Sequence, residues 1–355
     1  MSKKQTLLQN HFPMIRTREE ILTQIRSVSS LNAMFQRWAK ERQEKFLDFC
    51  SGARGVKMVY DGIFKEIFNP EIHPERLEAI LSLLLKKKVK IKKVLPNDSV
   101  RLGAESSLLY TDIIVELEDG SLSNIEIQKI GYMFPGERSA CYSADHLLRQ
   151  YKRVRSEQGE HFTYRNIKKV YTIVFFECSA EIFQRFPHDY IHRFRQVSDT
   201  GLEMDMLQEY IYITLDIFKK NMENRITMCE LDAWLAFLSF DDPEWILRLA
   251  RQFPQFEAMY RDVYEICLNT EKVMGMYSKE LEELDRNTVR YMIDEMQMQI
   301  DRQGKQLSQK DEQLSQKDEQ LSQKDEQLLE KDQHIRQLQK ELEAYRSKEI
   351  KGKTE

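Results

Sequence analysis

At 355 residues the chain exceeds what one hydrophobic core of the usual 250–300 residues organises, so a globular core with appendages is the expected plan. Its 54 Lys+Arg against 58 Asp+Glu leave a net charge of −4, which excludes binding of nucleic acid through bulk positive charge; such contact has to come from a local patch. The five cysteines, Cys50, Cys141, Cys178, Cys229 and Cys267, are far apart and form no C-x-x-C pair, which excludes a disulfide framework or zinc knuckle and reads as reduced core thiols.

The N-terminus has no apolar run of signal-peptide type, and no segment reaches the roughly 18 apolar residues of a membrane span, so a cytoplasmic, soluble protein is expected. Residues 1–55 read as a helical N-terminal arm, with Leu31, Met34, Phe35 and Trp38 on one stripe continued by Phe46, Leu47 and Cys50. After the glycines of CSGARG, YDGIFKEIFNPE predicts a short helix burying Ile63, Phe64, Ile67 and Phe68. HPERLEAILSLLLKKK predicts a second helix, with Pro in its first turn and lysines in its last. VKIKKVLP follows as a strand, then TDIIVELEDGSLSNIEIQKIG as a hairpin, RSACYSADHLLRQYKRVRSEQ as a helix and VYTIVFFEC as a buried central strand. QEYIYITLDIFKK, 208–220, reads as one further strand, and the following ELDAWLAFLSF, PEWILRLARQF and EAMYRDVYEICLNTEKVMGMYSKEL read as helices. The order is that of an α/β protein: a core at 56–220, an α-helical subdomain at 221–300, a heptad-repeat helix at 301–346 and a disordered end at 347–355.

The tail repeats LSQKDEQ three times from Leu307. A coiled coil wants apolar residues at both a and d, whereas the repeats supply Leu307, Leu314, Leu321 and Leu328 with Lys or Asp at the second position; the full seam appears at Ile335, Leu338, Leu342 and Tyr345. The tail therefore reads either as a spacer or as a weak coiled coil held at its end, and a homodimer through this helix is the expectation.

The hairpin register decides which side chains share a face, because a slip of one residue flips every side chain of a strand. A two-residue loop at Asp119-Gly120 puts Ile113 opposite Glu126. A three-residue loop, Glu118-Asp119-Gly120 with Gly120 left-handed, pairs Leu117 with Ser121 and sets Ile113 against Ile125 and Asp112 against Glu126. One face then carries Ile113, Val115, Leu117, Ile125 and Ile127, and the other Asp112, Glu116, Asn124, Glu126 and Gln128. Asp112 directly across from Glu126 is repulsive unless a divalent cation with oxygen ligands lies between them; the alternative is that this face is the solvated side of an antiparallel sheet.

Asp112 on one strand and IEIQ on the next resemble the PD-(D/E)XK nuclease superfamily, and DGIFKEIF before them and RSACYSADHLLRQY after them are similar to its transposase-like, recombination-promoting nuclease branch. The likeness spans about residues 56–220 and rests on the order of DGIFKEIF, TDIIVELEDG and IEIQ. It implies a restriction-endonuclease-like core, a mixed sheet flanked by helices, that cleaves DNA phosphodiesters with Mg²⁺ (or Mn²⁺). It further implies Asp112 and Glu126 as metal ligands with the backbone carbonyl of Ile127 as a third, Asp61 or Glu66 as an acid from the first helix, and Lys65, Arg138 and Tyr142 near the DNA. Gln128 departs from the pattern, standing where the superfamily has Lys: an amide carries no cation to stabilise phosphate charge, though it can orient the attacking water. The absence of the lysine leaves open a relative that binds DNA or a protein partner without cleaving. Lys129 is expected to point to the other face.

Lys86, Lys87, Lys88, Lys90, Lys92 and Lys93 form the densest basic cluster, readable as edge-strand protection or as phosphate contacts. Arg149, Lys152, Arg153 and Arg155 on the helix after the hairpin suit either a DNA backbone or a solvated helix face. His188 and His192 have the spacing of two imidazoles on one helix face; lacking a third ligand, they read as surface histidines rather than a zinc site. No P-loop, G-x-S-x-G or H-E-x-x-H is present.

Overall fold

Four short helices open the chain: α1 (Leu7–His11), α2 (Arg18–Ser27), α3 (Ser29–Arg37) and α4 (Lys40–Cys50). Thr6 and Thr17 start the first two as capping boxes with Gln9 and Glu20, satisfying amide groups that a helix start leaves unpaired. The computed structural model describes residues 5–96, 113–129, 135–223, 225 and 227–351. The chain divides into two compact units, Met1–Tyr291 and Met292–Glu355.

In the first unit, α5 (Asp61–Ile67) and α6 (Pro74–Leu85) precede β1 (Ile91–Leu95), β2 (Ile113–Leu117) and β3 (Leu122–Gln128). The chain then crosses over through α7 (Pro135–Gln158) to β4 (Val170–Phe176), passes a single turn α8 (Glu181–Gln184) and an edge strand β5 (Ile191–Arg195), and returns through β6 (Gln208–Thr214). The helices α9 (Leu215–Met222), α10 (Glu230–Ser239), α11 (Pro243–Gln252) and α12 (Pro254–Leu268) follow, and α13 runs Thr270–Lys351. The sheet order is β1-β2-β3-β4-β6-β5, with β3, β4 and β6 parallel and the other pairs antiparallel. This is a mixed six-stranded α/β sheet flanked by helices, as the sequence order predicts.

One face of the sheet carries Ile113, Val115, Ile125, Ile173, Phe175, Ile211 and Ile213 into the main core, where Phe64 and Phe68 with Leu77, Ile80 and Leu84 of α6 pack on them. The N-terminal helices feed the same core through Leu8, Phe12, Ile25, Phe35 and Phe46, and so does the start of α13 through Val273, Met274 and Tyr277. The stripe predicted in the N-terminal segment is present: Leu31 and Phe35 are buried, and Met34 and Trp38 pack against them.

Several expectations are corrected. The segment 208–220 is a strand only to Thr214; Leu215, Ile217, Phe218 and Met222 have helical spacing and are buried, so the chain turns into α9. The lysines after α6 lie beyond its last turn, because Lys86 takes a left-handed φ of 53° and ends the helix at Leu85. His192 belongs to the strand β5, with its ring 5.1 Å from that of Phe183, so it shares no helix face with His188. All five cysteines are free, but only Cys50 and Cys267 are core thiols; Cys141, Cys178 and Cys229 are exposed. No helix among the described residues is long and apolar enough to cross a membrane.

Candidate functional site

The hairpin closes with the three-residue loop. Gly120 donates to Leu117 O at 2.9 Å, Leu117 N donates to Ser121 O at 2.9 Å, and Gly120 has φ +81°, which an L side chain adopts only under strain. The Asp119 carboxylate, held at a pKa of about 2 against the cost of its burial by Lys87 and Ser121, accepts from Ser121 N at 2.9 Å and braces the turn. Ile113 pairs with Ile125 and Ile114 with Asn124, so Glu116, Asn124, Glu126 and Gln128 share one face. Asp112, whose pairing with Glu126 the sequence predicts, lies outside the described residues.

That polar face is not solvated. Asn124 is fully buried, and Glu116, Glu126 and Gln128 are buried with it. The cover is α7, which turns Ser139, Tyr142, Ser143, His146 and Gln150 toward the sheet at helical spacing while leaving its Leu148 exposed. Polar groups of the helix answer polar groups of the sheet. Arg138 donates from Nη2 to Glu126 Oε1 at 3.0 Å, with its guanidinium 5.0 Å from the Tyr142 ring. Arg153 Nη2 and Lys92 Nζ reach the two oxygens of Glu116 at 2.9 and 2.8 Å. Gln150 accepts from Lys168 N at 2.7 Å, and Ser143 accepts from Gln208 at 2.9 Å.

Gln128 is the last residue of β3, in register with Phe176 of β4 and Thr214 of β6, so Glu126 and Gln128 lie at the carboxyl edge of the three parallel strands, where open α/β sheets place their sites. Burial raises the Glu126 pKa and Arg138 opposes that rise; the carboxylate of Glu283 on α13 adds to it. Gln128 Nε2 and both polar atoms of the Asn124 side chain have no hydrogen-bond partner among the described residues. Ile127 turns to the other face and packs against the main core.

On that other face Lys129 forms a buried ion pair with Glu280 of α13. Glu280 also accepts from the backbone N of Asp61 at 3.1 Å, and so ties the start of α5 to the end of β3. Asp61 stands at the first position of α5 with its carboxylate 2.7 Å from Lys65 Nζ, while Glu66 pairs with Lys272 at 2.8 Å. Beyond the strand end Glu177 N donates to Gln128 O at 2.8 Å, and the Glu177 carboxylate pairs with Lys57 at 2.5 Å. No local sequence pattern ties Glu280, Glu283, Glu177 or Lys57 to the IEIQ strand, from which all four lie far away in the chain.

The predicted basic residues divide. Lys87 and Lys90, which precede β1, and Lys92 within it pair with Asp119, Glu78 and Glu116. Arg149 pairs with Asp145 at 2.7 Å and Arg153 with Glu116, whereas Lys152 is exposed. Arg149 and Arg153 with Lys93 and His146 line a cavity of about 300 Å³ between α7 and the β1 side of the sheet.

The described residues contain no group of three His, Cys, Asp or Glu side chains placed to hold a metal. Glu126 nevertheless supplies a buried anionic oxygen and Gln128 an amide oxygen on one side of the strand, a donor set that suits a hard cation.

A mixed sheet with a buried acid at the parallel carboxyl edge and a helix packed over it is consistent with a nuclease-like α/β fold. Residues 58–295 match the family described as PD-(D/E)XK nuclease family transposase, and the chain belongs to that family. Comparison with curated proteins and with solved structures returns no match. The family points to nuclease activity and a DNA substrate in general terms.

Proposed function

We propose that the protein is an Mg²⁺-dependent DNA endonuclease of transposase-like, recombination-promoting type, with its chemistry in residues 56–220 and the helices of 221–300 as support. The observation that carries this reading is the pair Glu126 and Gln128, buried on one side of the β3 carboxyl end beneath Arg138. Glu126, Asp112 and the backbone carbonyl of Ile127 would hold Mg²⁺, or Mn²⁺ in its place. When bound, the ion lowers the pKa of a coordinated water and offsets charge on the phosphate. Gln128 Oε1 accepts from the attacking water and orients it. Arg138, donating to Glu126 and stacked on Tyr142, supplies the positive charge that the lysine of the family pattern would have brought to this face. Asp61 at the start of α5, with Lys65, borders the same strand end through Glu280. Exposed Lys152, with Arg149 and Arg153 on the same helix, contacts the DNA backbone.

Gln128 also favours a second reading, a catalytically silent relative that binds DNA or a protein partner, because an amide cannot replace the cationic lysine outright. Thermal unfolding with increasing Mg²⁺, for wild type and Glu126→Gln, separates the two. Stabilisation of wild type but not of the variant supports the metal site; no stabilisation of either, with DNA binding retained, supports the silent relative.

A further inference from the structure

The second unit is helical throughout its described residues and carries an exposed apolar stripe. Ile293, Ile300, Leu307, Leu314, Leu321, Leu328, Ile335 and Leu342 are spaced seven apart without interruption, and each is about half exposed or more. The apolar register thus takes in two positions before the LSQKDEQ repeats, Ile293 and Ile300, and three beyond them, Leu328, Ile335 and Leu342. On a lone straight helix a strict seven-residue repeat drifts by about 20° per heptad, so over seven steps the stripe would wind by about 140°. It stays on one face only if the helix supercoils around another helix.

The second core position, three residues after each of these, reads Met296, Gln303, Lys310, Lys317, Lys324, Lys331, Leu338 and Tyr345, and the next position reads Asp311, Asp318, Asp325 and Asp332 through the repeats. In a parallel pair each d side chain lies beside an e side chain of the partner helix, so every lysine meets an aspartate. In an antiparallel pair the e positions face one another and Asp would meet Asp. Two strands suit the lysines better than three or four, because a d-position stem in a dimer can lie along the seam with its ammonium in water. The identical repeats alone permit slips of seven residues. The ends do not, since a slip would take Met296 and Leu338 out of their apolar layers and place them against Gln or Lys.

We propose that residues 293–342 pair with the same segment of a second copy of this chain as a parallel, in-register, two-stranded coiled coil. The apolar ends set the register, and a lysine-aspartate ladder fills the middle. Parallel pairing brings the starts of the two helices together, so both chains enter the coiled coil from the same end. The pairing does not depend on nuclease activity.

Sedimentation equilibrium of the full chain tests the proposal with three proteins whose changes lie on exposed helix positions. Wild type is expected at twice the chain mass. Leu314→Glu with Leu321→Glu should be monomeric at concentrations where wild type pairs. The set Asp311→Lys, Asp318→Lys, Asp325→Lys and Asp332→Lys should raise the dimer dissociation constant by roughly tenfold or more at low salt, and by less in 1 M salt. A monomeric wild type, a trimer or tetramer, or unchanged pairing in the leucine variant overturns the proposal. Unchanged pairing in the aspartate variant overturns its parallel arrangement, because an antiparallel pair would exchange one like-charge contact for another.

Discussion

Arg138 on α7 donates to the Glu126 carboxylate on β3 at 3.0 Å, so the buried acid at the sheet edge has its counterion supplied by the helix that covers it. Removing the guanidinium leaves a charge buried without its partner. Arg138→Met is therefore expected to cost roughly 3 kcal/mol of stability at neutral pH, read by denaturant unfolding. Arg138→Met with Glu126→Gln should recover a large part of that loss, whereas independent effects would simply add.

Lys129 and Glu280 form the second buried pair of this region, on the opposite face. Lys129→Met alone should destabilise by about 3–5 kcal/mol, and Lys129→Met with Glu280→Leu by much less, because an apolar pair of similar volume needs no desolvated charge. Equal losses in the single and double variants, measured by urea unfolding, would count against a coupled pair.

His146 lies buried on α7, where burial, opposed by Asp145 and reinforced by Arg149, pulls its pKa down from the ordinary 6.5 to about 4. The unfolded chain takes up this proton first as pH falls, so the folded state loses stability between pH 6.5 and 4 and keeps it above that window. The loss attributable to this group is on the order of 3 kcal/mol. His146→Gln should flatten the pH dependence of the unfolding free energy across that window; an unchanged slope would assign it to other groups.

Gly120 sets the register that brings Glu126 and Gln128 onto one face. A Cβ there would meet Lys168 Cγ at 3.1 Å in addition to the left-handed φ. Gly120→Ala should cost about 1–2 kcal/mol and Gly120→Asn less, since Asn tolerates that conformation, as thermal unfolding would show.

The hairpin register was legible because it depends on three adjacent residues and on alternation, both local. The burial of the polar face was not: alternation cannot distinguish water from a helix that offers Ser139, Ser143, His146 and Gln150. The signal was present in α7, whose polar residues recur at helical spacing while Leu148 faces solvent, but reading it requires knowing which face is covered. Glu280 had no local signal, since its partners Lys129 and Asp61 lie 151 and 219 residues away in the chain. In the tail the repeats are plain in the sequence, but the continuity of their register with Ile293 and Ile300 is less so, because those heptads share the seven-residue spacing and not the LSQKDEQ unit.

Chemistry at Glu126 is tested by nicking of supercoiled plasmid DNA by the full chain in Mg²⁺, with Mn²⁺ and chelator controls. Wild type should nick in a metal-dependent way that chelation abolishes, with a rate that falls by about 100-fold or more in Glu126→Gln and in Asp112→Asn. Wild type that fails to nick in either metal, or a Glu126→Gln variant that nicks as fast as wild type, would contradict it.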